Sequence, residues 1–150
     1  MILSRHYVKD YKKTRSYNMS QIKASDTKPE KNLRLALWER GHRYRLRSEL
    51  FGKPDLIFSA SKTVIFVDGC FWHRCPVHYR VPSSNKKFWS EKIDKNVERD
   101  RKVNSYLKKE GWKVERIWEH EIKKSLKKTA DELSKKINDR RKYVSQANRK

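Results

Sequence analysis

The stretch Thr63–Val67, with the sequence Thr-Val-Ile-Phe-Val, decides the fold. Its β-branched and aromatic side chains favour extended structure, and no polar residue after Thr63 marks a solvent-facing side. Because a strand that is apolar on both faces is covered on both, we predict that Thr63–Val67 is a central strand of a sheet. Asp55–Phe58, which follows the turn residues Gly52–Pro54, predicts a second, short buried strand.

Periodicity outside these strands predicts the remaining elements, which are in chain order a helix between Thr27 and Gly41, a strand at 43–47, a loop at 68–85, a helix at 86–110, a strand at 112–118 and a helix at 129–143 with Leu133 and Ile137 as its apolar contacts. Helices and strands in this order predict an α/β sandwich whose mixed central sheet is flanked by helices.

Composition points to a polyanionic partner. The 150 residues contain 39 Lys and Arg against 18 Asp and Glu, a net charge of +21, while an aromatic content of 11% suffices for a folded core. The absence of an apolar run of about 18 residues excludes a membrane span. Met1–His6 lacks the apolar stretch of a signal peptide, so we expect a cytoplasmic protein. Two cysteines exclude a disulfide-dense scaffold.

The same patterns divide the chain into three parts. We predict that residues 1–26 are a basic arm with Met19 and Ile22 as its apolar pair, that residues 27–143 are one folded domain, and that residues 144–150 are a disordered tail.

The segment Cys70–His78 contains a candidate metal site. Cys70, Cys75 and His78 have the spacing C-x4-C-x2-H, and thiolates and imidazoles bind Zn²⁺ tetrahedrally. His120, where the chain leaves the strand at 112–118, is the candidate fourth ligand. The alternative is two unrelated buried thiols and a solvated histidine.

Carboxylates at special positions form a second constellation. Asp55 begins one strand and Asp68 ends another, so together they are candidates to hold a divalent cation, although Pro-Asp is also a common turn dipeptide. Asp100 lies in the apolar stripe of the 86–110 helix, where an unpaired carboxylate is costly. His73 suits proton transfer. Each residue also has a purely structural alternative. His73 could be a surface histidine, Asp100 could pair with Arg43 or Lys95, and Glu30 could complete a capping box with Thr27.

Two aromatic pairs flank the cysteine segment, and such side chains on a basic protein can insert between bases. They are Phe71-Trp72 and Phe88-Trp89.

Several blocks resemble the very short patch repair (Vsr) endonucleases and occur in that family's order from about residue 15 to 122: Asn18–Glu30, Gly52–Asp55, Val64–His73, Phe88–Trp89, Asn96–Asp100 and Gly111–Glu119. The resemblance implies a restriction-endonuclease-like fold of the PD-(D/E)xK type. It also implies a Mg²⁺-dependent nick in duplex DNA, 5′ to the T of a T:G mismatch left by deamination of 5-methylcytosine.

The resemblance assigns roles to residues of this chain. Asp55 is similar to the metal-binding aspartate, the Val67 backbone carbonyl to the second ligand, His73 to the catalytic histidine, Asp100 to its orienting partner and Glu30 to a carboxylate near the site. Phe71, Trp72 and Trp89 match aromatics that insert into DNA beside the mismatch, and Met19 and Ile22 match an arm that intercalates from the other groove. The implied partners are DNA with a T:G mismatch, a MutL-type mismatch-repair protein and a cytosine-5 methyltransferase system, and the implied state is a monomer.

Two departures from the family pattern stand out. Asp68 replaces a histidine of the best-known member, with no lysine at the usual spacing after it, which makes Asp68 a further candidate Mg²⁺ ligand. Cys75 and His78 replace a His-rich stretch and His120 replaces a cysteine, so all four zinc positions keep competent ligands.

Two rival functions stay open. One is a Vsr-like nuclease of a restriction or mobile-element system that cuts without a mismatch, which the Asp68 substitution favours. The other is a non-catalytic zinc protein that binds nucleic acid through its charge. Asp100 argues against the second rival, because a binding protein gains nothing from a costly carboxylate in an apolar stripe.

Overall fold

The computed structural model describes residues 26–46 and 49–150. Its elements in chain order are helix α1 (Lys28–Glu39), strand β1 (Leu56–Phe58), a 3-10 turn (Ser59–Ser61), strand β2 (Thr63–Asp68), helix α2 (Lys86–Lys109), strand β3 (Lys113–Trp118), helix α3 (Glu119–Lys124) and helix α4 (Leu126–Ala147). The predicted arm, with Met19 and Ile22, lies outside the described residues apart from Asp26. In the described part, no helix has the length and apolar character needed to cross a membrane.

Strand β2 lies at the centre of a three-stranded sheet with the order β1-β2-β3. It is antiparallel to β1, with Leu56 opposite Ile65, and parallel to β3, with Val64 opposite Val114. Because both backbone edges of β2 have a partner and its side chains are buried on both faces, the prediction of a central strand is confirmed.

Helices cover both faces of this mixed sheet. On one face, residues of α1, α3 and α4 pack with Ile65 of β2; on the other, Val103 and Leu107 of α2 pack with Val64 and Phe66. The alternation of β2 side chains between the two cores follows from the two-residue period of a strand. The predicted mixed sheet flanked by helices is therefore confirmed.

The start of α1 differs from the predicted capping box. Thr27 caps the helix, because its Oγ1 accepts a 3.4 Å hydrogen bond from the Glu30 backbone N–H. The Glu30 carboxylate, however, accepts from the Arg34 guanidinium one turn later. A charged donor competes more strongly for a carboxylate than a backbone amide does, so only half of the box forms.

The elements differ from the prediction in three main respects. The predicted strand at 43–47 amounts, within the described residues, to one bridge between Arg45 and Ile57. The six-residue helix α3 was not predicted, because so short a helix shows less than two turns of periodicity. Helix α4 is longer than the predicted 129–143 and continues through Ala147, so residues 144–147 are helical rather than part of a disordered tail.

A tight turn places Asp55 at the end of the sheet. Gly52 has a φ of +83°, and a Cβ there would lie 2.3 Å from Cγ1 of Val103. Only glycine permits both the left-handed backbone and the close approach to α2. The turn leads into β1, and the backbone N–H of Asp55 donates to the Ile65 carbonyl at 3.0 Å.

Candidate functional site

A cavity of about 560 Å³ opens where the N-terminus of α1 meets the end of β2. Six residues predicted from the sequence as site residues line it, together with others: Glu30, Asp55, Val67, Phe71, Trp72 and His73. These residues come from three separate stretches of sequence, and the sheet brings them to one place.

Asp55 is the cavity's most perturbed carboxylate. Its Oδ2 accepts a 2.7 Å hydrogen bond from the Val67 backbone N–H. Burial raises the pKa of Asp55 to about 6 and the charges of Glu30 and Asp68 add to the rise, while the Val67 hydrogen bond and Arg34 oppose it. Carboxylate oxygens are the ligands that divalent cations such as Mg²⁺ prefer. A cation bound at Asp55 would also reduce the repulsion between this buried carboxylate and the neighbouring carboxylates.

Glu30 is the second carboxylate in the cavity, and it is only 4% exposed. Arg34 bridges Glu30 to Asp26, whose Oδ1 lies 2.7 Å from Nη1. Arg34 was not predicted as a site residue. Its position one helical turn after Glu30 was the available signal, since i,i+4 pairs of opposite charge face each other.

His73 and Asp100 form a direct pair across the cavity wall. The distance from His73 Nδ1 to Asp100 Oδ2 is 2.5 Å. Burial raises the pKa of Asp100, but the hydrogen bond from His73 and the charges of His73 and Arg116 outweigh burial and hold it below its ordinary value. Asp100 therefore pairs with His73, and not with Arg43 or Lys95, which the sequence left as alternative partners.

Asp68 lies beside Arg116 and His73. It follows Val64 and Phe66 on the β2 face that packs against α2, and it is not among the described residues that line the cavity. Its Oδ1 lies 2.8 Å from Nη1 of Arg116 and 3.7 Å from Nδ1 of His73. Burial raises the pKa of Asp68 against the opposing charges of His73 and Arg116.

Four sulfur and nitrogen ligands converge beside the cavity. One ligand atom each of Cys70, Cys75, His78 and His120 lies within 4.8 Å of the others. His120 Nδ1 is 3.2 Å from the Cys70 Sγ and 3.6 Å from the Cys75 Sγ. Two thiols and two imidazoles at these separations fit a tetrahedral cation of the Zn²⁺ type. Burial raises the pKa of the Cys70 thiol to about 11, and a bound cation would reverse that shift.

Aromatic side chains form one wall of the cavity. Phe71 packs edge-on against Trp72 and Trp89, with ring centroids 5.0 and 5.5 Å away, and Phe88 lies 5.1 Å from Trp89. Phe88 is 57% exposed. The Nζ of Lys92 is 5.6 Å from the Trp72 ring. The predicted aromatic pairs thus share one partly exposed surface with a cation beside it.

Three further residues of the site were not found from the sequence. Asn96 donates to the Trp72 carbonyl at 3.1 Å and ties the loop to α2. Glu119 accepts from the Cys70 backbone N–H at 3.2 Å. Arg116 contacts Asp68 and Asp100. An arginine inside a strand, alternating with Val114 and Trp118, was the only signal for this contact.

A family model and several individual relatives identify the same family. The family model described as DNA mismatch endonuclease Vsr matches residues 8–78. The Type II nicking enzyme V.NaeI of Lentzea aerocolonigenes is 50% identical over 113 residues, which cover 71% of this chain and 68% of that protein. The Type II nicking enzyme V.NmeAIP of Neisseria meningitidis is 46% identical over 112 residues, covering 73% of this chain and 79% of that protein. The DNA mismatch endonuclease Vsr of Escherichia coli K12 is 39% identical over 130 residues, covering 85% of this chain and 83% of that protein. Similarity of this extent shows common ancestry, and the chain therefore belongs to the Vsr endonuclease family.

Proposed function

We propose that this chain is a DNA endonuclease that nicks duplex DNA 5′ to the T of a T:G mismatch, with a restriction-endonuclease-like fold. The observation that carries the proposal is the convergence of Asp55 with the His73–Asp100 pair in one cavity. A metal-binding carboxylate beside an oriented imidazole can hydrolyse a phosphodiester, because the metal polarises the phosphate and the imidazole takes a proton from water. Its relatives, named a mismatch endonuclease and nicking enzymes, support the same activity.

In this proposal Asp55 and the Val67 carbonyl would hold Mg²⁺. When bound, Mg²⁺ polarises the phosphate and stabilises the leaving oxygen. The donor set fits, because Asp55 is a buried carboxylate beside the buried Glu30. Arg34 keeps Glu30 oriented toward the cavity from α1.

His73 would act as the general base. Because the Asp100 carboxylate accepts a hydrogen bond from His73 Nδ1, the neutral imidazole carries its proton on Nδ1 and its Nε2 is free to accept a proton. Nε2 would take a proton from the attacking water as the new P–O bond forms and the bond to the leaving oxygen breaks. Asp100 stabilises the imidazolium that results.

The surroundings of the cavity fit a DNA substrate. The aromatic residues Phe71, Trp72 and Trp89 would insert beside the mismatch, and Met19 and Ile22 of the arm are proposed to do so from the other groove. Lysines and arginines of α4, within a chain of net charge +21, would hold phosphates without reading sequence. Action as a monomer, recruitment of a MutL-type protein and coupling to a cytosine-5 methyltransferase system belong to the same proposal.

Two matched duplexes test the proposed substrate. They have the same sequence and differ only in carrying a T:G or a T:A pair, and nicked product is measured in single turnovers with Mg²⁺. Unstacking a base pair costs a few kcal/mol and costs least at a mismatch, so we expect nicking of T:G to be faster by about 10²-fold.

Equal rates on the two duplexes would contradict mismatch specificity and favour a Vsr-like nicking enzyme of a restriction or mobile-element system. Asp68, in place of the family's histidine, and the names of the nicking relatives favour that second candidate. Salt-sensitive binding to both duplexes with no metal-dependent product would instead identify the non-catalytic binding protein.

We further propose that Cys70, Cys75, His78 and His120 bind a structural Zn²⁺. Replacing Cys75 by serine is expected to remove the bound zinc, measured by elemental analysis, and to lower the melting temperature by about 5–10 °C or more, because structural zinc contributes directly to folding. Treating the unaltered chain with a chelator is the matched control, and it should lower the melting temperature to that of the variant. An unaltered chain that contains no zinc, or that melts identically with chelator, would contradict the assignment.

A further inference from the structure

We propose that Arg116 is a positioning residue for the His73–Asp100 pair, and that Asp68 serves to hold Arg116 rather than to bind the catalytic cation. This inference rests on the proposed function. It assigns a role to the buried Asp68 and the half-buried Arg116, two charged residues that the proposed chemistry does not otherwise use.

Every nitrogen of the Arg116 guanidinium has a partner. Nε donates to Asn104 Oδ1 at 2.8 Å, Nη1 donates to Asp68 Oδ1 at 2.8 Å, and Nη2 lies 3.4 Å from Asp100 Oδ1. The guanidinium carbon lies over the Phe66 ring, 4.2 Å from the ring centroid. A guanidinium held at all its nitrogens and on one face has a single orientation.

That orientation determines which carboxylate His73 contacts. Asp100 Oδ2 lies 2.5 Å from His73 Nδ1, and Asp68 Oδ1 lies 3.7 Å from the same nitrogen. Both acids therefore compete for one donor. Arg116 engages the competing oxygen of Asp68 directly while it also anchors the second oxygen of Asp100. The imidazole, which lines the cavity, is thus directed to Asp100 through Nδ1.

Burial argues against other roles for the two residues. The Arg116 side chain is 18% exposed and that of Asp68 is 6% exposed, so neither has a surface position from which to contact a DNA phosphate. Asp68 shares its strand face with Val64 and Phe66, on the side of the sheet covered by α2. Its carboxylate is committed to Arg116 instead of to the cavity that contains Asp55.

The test is a double-mutant cycle with Arg116→Met, Asp100→Asn and the two combined, assayed for nicking rate at saturating DNA and Mg²⁺ and for DNA affinity. Arg140→Met is the matched control, because it removes a half-buried arginine whose Nη2 bonds the Gly111 carbonyl. We expect Arg116→Met to slow nicking by about 10- to 100-fold, since a small misplacement of a catalytic group has that effect, and to leave DNA affinity within about twofold.

The cycle separates positioning from general destabilisation. If Arg116 acts through Asp100, Arg116→Met should cause less than about a threefold further loss once Asp100 is already asparagine. The inference would be overturned if the double variant lost rate by the product of the two single losses. It would also be overturned if the Arg116→Met variant nicked as fast as the unaltered chain. Asp68→Asn should slow nicking in the same way without changing the Mg²⁺ concentration that gives half the maximal rate. A tenfold rise in that concentration would identify Asp68 as a metal ligand and overturn its assigned role.

A spectroscopic measurement keeps the inference independent of activity. The Nδ1 proton of His73, hydrogen-bonded to Asp100, is expected to give a low-field nuclear magnetic resonance signal that shifts in Arg116→Met and Asp68→Asn and is unchanged in Arg140→Met. An unchanged signal in both site variants would overturn the inference even if the chain nicks no duplex tested. Failure of nicking with the expected spectral shifts would instead count against the proposed function alone. Should Arg116→Met not fold, Asp68→Asn preserves the shape of the side chain and provides the same readouts.

Discussion

Replacing Asp55 by asparagine is expected to abolish nicking and at the same time to stabilise the folded chain. Loss of the carboxylate proposed to bind the cation should remove several kcal/mol of transition-state stabilisation, which is a fall in rate of about 10³-fold or more. The folded state gains because the buried Asp55 charge, beside Glu30 and Asp68, no longer has to be accommodated. At about pH 8, with no Mg²⁺ added, the free energy of unfolding should rise by up to about 3 kcal/mol.

The pH dependence of this gain follows from the direction of the pKa shift. Asp55 has a pKa of about 6 in the folded chain against an ordinary value of 3.8, so the folded state retains its proton longer than the unfolded state does. Stability contributed by that proton is lost as the pH rises from about 4 to about 6. The advantage of Asp55→Asn should therefore be absent below this window and complete above it.

An exposed carboxylate provides the control for Asp55→Asn. Asp139→Asn makes the same chemical change on the exposed side of α4 and should alter the free energy of unfolding by no more than about 0.5 kcal/mol at any of these pH values. Chemical unfolding at several pH values measures both variants. An Asp55→Asn chain that nicks normally, or that is less stable than the unaltered chain above the window, would contradict the assigned role and environment of Asp55.

Replacing His73 by alanine is expected to slow nicking by about 10²- to 10⁴-fold, the range for loss of a general base. Binding of T:G duplex should change little, because the imidazole contributes to proton transfer and not to phosphate neutralisation. Asp100→Asn should act in the same direction, since an amide in place of the carboxylate no longer stabilises the imidazolium. Single-turnover rates and binding isotherms on the same duplex check both variants.

His42 provides the matched control for His73. It is buried away from the cavity, where its Nε2 lies 2.6 Å from Ser134 Oγ, so His42→Gln removes an imidazole with one hydrogen bond but leaves the site intact. We expect His42→Gln to nick at the rate of the unaltered chain at a temperature at which both are folded. Equal rates for His73→Ala and His42→Gln would contradict the general-base role.

The central architecture was predictable because buried segments need apolar residues, and the spacing of these residues shows the type of element. The run Thr63–Val67 is apolar since both faces of β2 are covered, and the helix at 86–110 shows its apolar stripe over six turns. Helix α3 escaped prediction because six residues carry little periodicity. The predicted strand at 43–47 was wrong because alternation in a sequence does not show whether a neighbouring strand continues to pair with it.

Many residues of the candidate site were predictable from the sequence, but their contacts were not. Side-chain chemistry and its order along the chain were enough to nominate Asp55, His73 and the four cysteine and histidine ligands, because each kind of site requires particular residue types. Partners of the buried charges depended on the tertiary structure: Asp100 pairs with His73, 27 residues away, and Asp68 with Arg116, 48 residues away. A hydrogen bond extends only about 3 Å, so its partner is chosen by how β2, β3 and α2 pack together and not by spacing along the chain. The sequence therefore indicated which residues are candidates for the chemistry, and only the packed sheet decided that Asp68 contacts Arg116 while Asp55 lines the cavity.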